Sequence, residues 1–106
     1  MKSMMLIGLL VGSSAFAAGG GSCTFNDEGS CVQYDGSGYE GSQDQIQEAC
    51  AEESGTYSSG NCSSSRRLGK CFMNEETPTQ YSVSFYSPMT AEDAQTSCGL
   101  MGGRYE

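Results

Sequence analysis

From Thr79 to Ser87 the chain alternates, with Tyr81, Val83 and Phe85 set between Gln80, Ser82 and Ser84. A period of two over that length predicts a half-buried strand. Cys31-Val32-Gln33-Tyr34 is a weaker form of the same pattern. Shorter strands are predicted ahead of each, over Ser22–Asn26 and Leu68–Asn74. After each alternating run the period becomes helical. Ile46, Ala49, Cys50 and Glu53 share one face, whose apolar part is narrow; Ala94, Ser97, Cys98 and Met101 share the corresponding face later on. Ser42 and Thr90 offer hydroxyl N-caps, and Asp44 and Glu92 place acids in the first turns, where the helix dipole favours them. Gln45 sits where a capping box needs it, and Asp93 holds that position in the second helix. Gly55 and Gly103 read as helix stops, followed by closing strands at Thr56-Tyr57 and Arg104-Tyr105.

The same pattern therefore occurs twice. At an offset of 48, Cys23 maps to Cys71, Asn26 to Asn74, Glu28 to Glu76, Gln47 to Gln95, Cys50 to Cys98, Gly55 to Gly103 and Tyr57 to Tyr105. These are seven identities where composition alone gives roughly two or three. Gln33-Tyr34 matches Gln80-Tyr81 at an offset of 47, so one residue is gained and lost between. The predicted fold class is α+β. Two strand-strand-helix-strand repeats, 23–57 and 71–105, share one antiparallel sheet with both helices on one face. The predicted core draws on Phe25, Val32, Ile46, Tyr57, Leu68, Phe72, Val83, Phe85, Leu100 and Tyr105.

The N-terminus has a different pattern. Lys2 precedes the apolar run Met4–Val11, and small residues end it at Ala15-Phe16-Ala17. That order is a secretory signal peptide, cleaved after Ala17 or one residue later. The run is too short for a membrane span, which needs about 20 residues. Lipidation at Cys23 would need a lipobox that Gly20-Gly21-Ser22 does not supply. Residues 18–22 read as a flexible mature N-terminus, and 23–106 as a single domain. The Ser/Gly-rich stretch Ser58–Ser65 reads as a long loop.

All six cysteines, Cys23, Cys31, Cys50, Cys62, Cys71 and Cys98, lie in the mature part. In a small exported chain this is a disulfide framework. Zinc is disfavoured, because there is no histidine and no pair of cysteines at ligand spacing. The repeat favours pairing Cys23 with Cys50 and Cys71 with Cys98, leaving Cys31 for Cys62. The alternative joins neighbours: Cys23–Cys31, Cys50–Cys62 and Cys71–Cys98.

The mature part carries four basic and thirteen acidic residues, a formal charge of −9. That field argues against nucleic acid and anionic lipid as partners. Three of the four cations, Arg66, Arg67 and Lys70, stand together. They are expected to pair with the acidic surface, or else to dock an acidic partner. Tyr39 and Tyr86, just ahead of the helices, are expected to be exposed and suited to recognising a protein or glycan. No catalytic constellation is evident. A Ser–Lys dyad of Ser63, Ser64 or Ser65 with Lys70 reads more simply as a Ser-rich loop beside a basic turn. The acid pairs Asp27-Glu28, Glu52-Glu53, Glu75-Glu76 and Glu92-Asp93 read as solvated faces. Asn26-Asp27-Glu28 and Asn74-Glu75-Glu76 lack the loop of a calcium-binding EF-hand. Asn61-Cys62-Ser63 fits a glycosylation acceptor, but its cysteine is expected to be bonded.

The series Cys31-Val32-Gln33-Tyr34, Glu48-Ala49-Cys50 with Gly55-Thr56-Tyr57, Gly69-Lys70-Cys71, and Thr96-Ser97-Cys98 with Gly102-Gly103-Arg104-Tyr105 resembles small exported cysteine-rich bacterial proteins of the lipoprotein type. The resemblance covers nearly all of the mature chain and its motifs are structural. It implies a Gram-negative envelope or secreted protein, and brings no activity or functional residues. The functional expectation is an exported, monomeric, non-enzymatic binding or structural module needing no cofactor, periplasmic, on the cell surface or secreted. Its partner would be another envelope protein, a foreign protein or a glycan. The alternative is a secreted effector, a toxin or hydrolase inhibitor using Ser58–Ser65. A small hydrolase working with acids alone ranks last.

Overall fold

A computed structural model of the chain describes residues 19–106. The signal peptide expected at 1–17 lies outside the described residues. The elements run β1 (Gly21–Phe25), β2 (Ser30–Tyr34), a short 3-10 turn (Ser37–Tyr39), α1 (Gln43–Glu52), β3 (Thr56–Ser58), β4 (Gly69–Met73), β5 (Tyr81–Phe85), α2 (Ala91–Met101) and β6 (Arg104–Tyr105). One antiparallel sheet of six strands holds them in the order β3-β1-β2-β5-β4-β6. The class is α+β, and the two central strands are the two alternating runs.

Register decides which side chains share a face. Tyr57, Cys23, Val32, Val83, Cys71 and Tyr105 stand opposite one another across the sheet, so they form one row on one side. Cys23 bonds Cys50 of α1 and Cys71 bonds Cys98 of α2. Both helices therefore cover this side, the helix face. Cys31 points the other way, beside Thr24 and Ser84. Its bond to Cys62 draws the β3–β4 connection, residues 59–68, across the opposite side, the loop face. The pairing follows the symmetric scheme and not the neighbour scheme. Each bond closes a loop of 27 or 31 residues. In the chain-entropy model that is worth about 3–4 kcal/mol apiece.

Residues 21–58 and 69–105 follow the same order of elements in the same registers. Cys23 faces Tyr57 and Val32; Cys71 faces Tyr105 and Val83. Val32 therefore corresponds to Val83, an offset of 51 rather than the 47 suggested by Gln33-Tyr34. The β1–β2 turn spans residues 26–29 and the β4–β5 turn 74–80. Three residues are gained there and returned before the helices.

The glycine after each helix has a steric role. A Cβ on Gly55 would run into the sulfurs of Cys23 and Cys50, and one on Gly103 into the sulfur of Cys71. The left-handed residues that stop the helices stand one position earlier, Ser54 (φ 66°) and Gly102 (φ 83°). The two tyrosines do matching work. The Tyr57 hydroxyl donates to the Gly20 carbonyl at 2.9 Å, and that of Tyr105 to the Leu68 carbonyl at 3.5 Å.

Several sequence expectations are corrected. Gly19–Ser22 is not a loose leader. Gly21 and Ser22 belong to β1, and Ser22 is buried. A Cβ on Gly20 would meet Ile46 at 2.7 Å and Tyr34 and Tyr39 at 2.8 Å. This run is glycine because side chains pack over it, and a glycine run packed tight reads in sequence like a linker. The capping box of α1 does not form, since Ser42 makes no side-chain cap bond. Gln43 occupies this end instead, accepting from the Gly41 amide and donating to the Gly19 carbonyl. Thr90 does cap α2, accepting from the Asp93 amide at 3.1 Å. Leu100 (85 % exposed) and Leu68 (40 %) are not core residues. Buried Ala94 and Cys98 mark the inward side of α2, and Leu100 lies two residues past Cys98, on the outward side. The buried cluster is Cys71, Val83, Phe85, Ala94 and Cys98, with Val32, Met73, Tyr81, Met89 and Tyr105 packed against it.

Candidate functional site

The loop face is polar yet largely closed over the middle of the sheet. Ser22, Gln33, Ser82 and Ser84 are buried there. Gln33 holds it together: its carbonyl accepts from the Cys62 amide at 2.8 Å, and its amide donates to Asp35 at 2.7 Å. Asp35 also accepts from the Ser82 hydroxyl at 3.3 Å. The Tyr86 hydroxyl donates to the Ser63 carbonyl, and the Ser63 hydroxyl accepts from the Ser65 amide. The Ser-rich stretch is thus a braced loop with an anchored cysteine.

Tyr39 and Tyr86 are half-buried rather than free on the surface. The Tyr39 hydroxyl donates to the Thr79 carbonyl at 2.7 Å, and its ring meets that of Tyr34 edge-on, 5.1 Å between centroids. Burial first, then the neighbouring phenols and Asp35, raises the Tyr39 ionisation above the ordinary tyrosine range. Burial does the same for Tyr34 and Tyr57, with smaller additions from Tyr81 and Asp44 respectively.

The cations gather where the loop leaves the face open. The alternation of β4 puts Lys70 and Phe72 on the loop face, and the β4–β6 register sets Arg104 beside Phe72. The Lys70 ammonium stands 5.1 Å from the centre of the Phe72 ring and the Arg104 guanidinium 4.6 Å. Both are cation–π contacts. Arg67 reaches the Ser84 hydroxyl, 3.5 Å from its Nη1, and Ser84 is the cross-strand neighbour of Lys70. Arg66 precedes it, exposed, with a left-handed φ of 62°. Arg67, Lys70 and Arg104 thus adjoin one part of one face, and Arg66 neighbours them in the chain.

Only one of them is paired. Arg104 donates to Glu75 and Glu106, each at 2.6 Å. The hydrogen bonds from Arg104 hold the Glu75 carboxyl below the usual carboxylate range, and Arg104 is held more firmly protonated in turn. Among the described residues, Arg66, Arg67 and Lys70 form no ion pair, although the chain has thirteen acids. The expected pairing of this run with the chain's own acidic surface is not what the structure contains. Sequence reading finds Arg66, Arg67 and Lys70 but assigns Phe72 to the core, whereas it stands half-buried on the loop face outside the buried cluster, and it misses Arg104. Lys70 and Phe72, two apart on a predicted strand, were the available signal; Arg104 joins through sheet pairing.

The catalytic and metal candidates do not converge. The Lys70 ammonium lies over the Phe72 ring, while the Ser63 hydroxyl accepts from the Ser65 amide. Asn26–Glu28 belongs to the β1–β2 turn, and in the β4–β5 turn Glu75 is engaged by Arg104. Among the described residues no group of three His, Cys, Asp or Glu side chains is placed to hold a metal ion, and no helix is long and apolar enough to cross a membrane. Comparison with protein-family models, curated proteins and solved structures finds no match to this chain.

Proposed function

We propose that this is an exported, non-enzymatic binding module of a bacterial envelope, and that the open loop face around Lys70 and Phe72 is its binding surface. The observation that carries the reading is that Arg66, Arg67 and Lys70 form no ion pair among the described residues, in a chain so rich in carboxylates. Cations kept apart from an excess of acids, next to an aromatic ring, have the composition of a recognition surface. Three disulfides in a domain this small fit an oxidising compartment, as do the signal-like N-terminus and the resemblance to exported cysteine-rich proteins. The two halves, on this reading, are copies of one unit, only one of which acquired the surface.

The test is a photo-crosslinking amino acid placed at Arg66 in cells, followed by fractionation. A discrete adduct in the envelope or the medium, lost when Arg67 and Lys70 are replaced by alanine, is expected. An unprocessed chain in the cytoplasm, or no adduct at this site, contradicts the reading.

The second reading, a hydrolase inhibitor or toxin acting on a foreign protein, has one observation in its favour. Cys62 is pinned to Cys31 and Gln33, while Asn61, Ser64 and Ser65 on either side stay exposed. A loop held rigid at its middle binds at low entropic cost. Recovery of a foreign hydrolase bound through Ser64 or Ser65 would reverse the ranking.

A further inference from the structure

We infer that the open loop face docks a short acidic segment of a partner protein; this rests on the binding-module reading and names the class of its ligand. The surface has a sequence of its own along β4. Leu68 lies just ahead of β4 with its amide donating to the Phe85 carbonyl, and within the strand Lys70 and Phe72 alternate onto the loop face. Leu68 is 40 % exposed and Phe72 half-buried. An exposed apolar residue thus precedes a cation and an aromatic ring in the chain, with Arg66 and Arg67 just before them and Arg104 beside the ring.

That order selects among anions. Leu68 offers nothing to a phosphate chain, but it offers an apolar contact to a side chain of a peptide. The Phe72 ring already carries Lys70 and Arg104 against it, which leaves it poorly placed to stack on a sugar. The rest of the domain repels a long polyanion, because all thirteen acids lie in the mature chain and only Glu75 and Glu106 of them are engaged by Arg104. What fits is two or three carboxylates around one apolar residue, the carboxylates answering Arg66, Arg67 and Lys70. Such charge-assisted contacts steer the encounter and lose strength in salt.

The experiment uses the oxidised mature protein, labelled with nitrogen-15, and three probes: the capped pentapeptide Glu-Glu-Leu-Glu-Glu, inorganic triphosphate and a sulfated disaccharide. With the peptide, saturable amide shifts are expected at residues 66–73, at Ser84 and at Arg104. Arg66→Gly combined with Arg67→Ala should weaken the peptide by about five- to twenty-fold. The glycine suits the left-handed φ of Arg66, so the fold should not lose stability. Replacing the peptide's leucine by glycine should weaken it further. Triphosphate or the disaccharide binding this face more tightly than the peptide overturns the acidic-protein inference while leaving a binding module standing. So does dimerisation through this face. No shift at these residues with any probe up to about 5 mM overturns the inference. The module reading itself is tested separately, by the in-cell crosslink from Arg66 and the fractionation that accompanies it.

Discussion

The two halves share strand order, register and staple, yet each side of the sheet is finished differently in each. On the helix face, the second half owns the buried cluster around Cys71, Val83, Phe85, Ala94 and Cys98. The first half buries only Cys50 from its helix, with Ile46 half-covered. On the loop face the positions matching Lys70, Phe72 and Arg104 are Ser22, Thr24 and Thr56. The connection that crosses the sheet is anchored on the first half at Cys31 and Gln33. One frame thus yields a closed, neutral side and an open, cationic one. The staple, the glycine beside it and the tyrosine that follows make the frame; the residues between them decide how each half is packed and covered.

Unequal packing behind equal staples predicts unequal consequences. Removing either helix staple should cost about 3–4 kcal/mol, because both loops have the same length. The structural result should differ. Cys23→Ala with Cys50→Ala should release α1 and remove roughly half of the helical circular dichroism. Cys71→Ala with Cys98→Ala should leave α2 docked through Ala94 and its neighbours. Equal loss of helix in both would break the comparison. Next in size, Gly55→Ala and Gly103→Ala should each destabilise by about 2–3 kcal/mol, since both place a Cβ against a disulfide sulfur. Gly99→Ala is the counter-test. Its Cβ meets nothing, so thermal melting should show a gain of about 0.5–1 kcal/mol.

The caps separate the halves more finely. Thr90→Ala should cost about 1 kcal/mol in a denaturant titration and Ser42→Ala almost nothing, because only Thr90 holds an amide. The smallest effects are those of pH. Glu75 has a lowered folded pKa, so its contribution is complete above the ordinary carboxylate range and is lost as pH falls through the folded value. Glu75→Gln should flatten that part of the acid limb only slightly, as the pair is exposed. Tyr34, Tyr39 and Tyr57, all in the first half, have raised folded pKa values. Their contribution is complete below about pH 10 and is lost as pH climbs through the folded values. Tyrosinate absorbance should show these three ionising late, and Tyr57→Phe should remove one late step.

Cysteines and periodicity made most of the frame legible: the class, the six strands, both helices and the pairing of all six cysteines. What escaped has physical reasons. Gly19-Gly20-Gly21 looked like a linker because composition does not distinguish glycine chosen for freedom from glycine chosen for lack of volume. The 51-residue offset in the central strands was hidden because the gained and returned residues fall in turns of unlike sequence. Tyr39 and Tyr86 looked exposed because their partners, the Thr79 and Ser63 carbonyls, are distant backbone atoms with no sequence signature. Half of the candidate site was visible as a run of basic residues. Phe72 and Arg104 joined it only through strand alternation and sheet pairing.

Native-state hydrogen exchange of the oxidised mature domain tests most directly the claim of one frame packed unequally. The slowest amides should lie in β4, β5 and the Ala94–Cys98 turn of α2, while α1 and β3 open together at distinctly lower free energy. Equal protection of the two helices, or slower exchange in α1 than in α2, would contradict it.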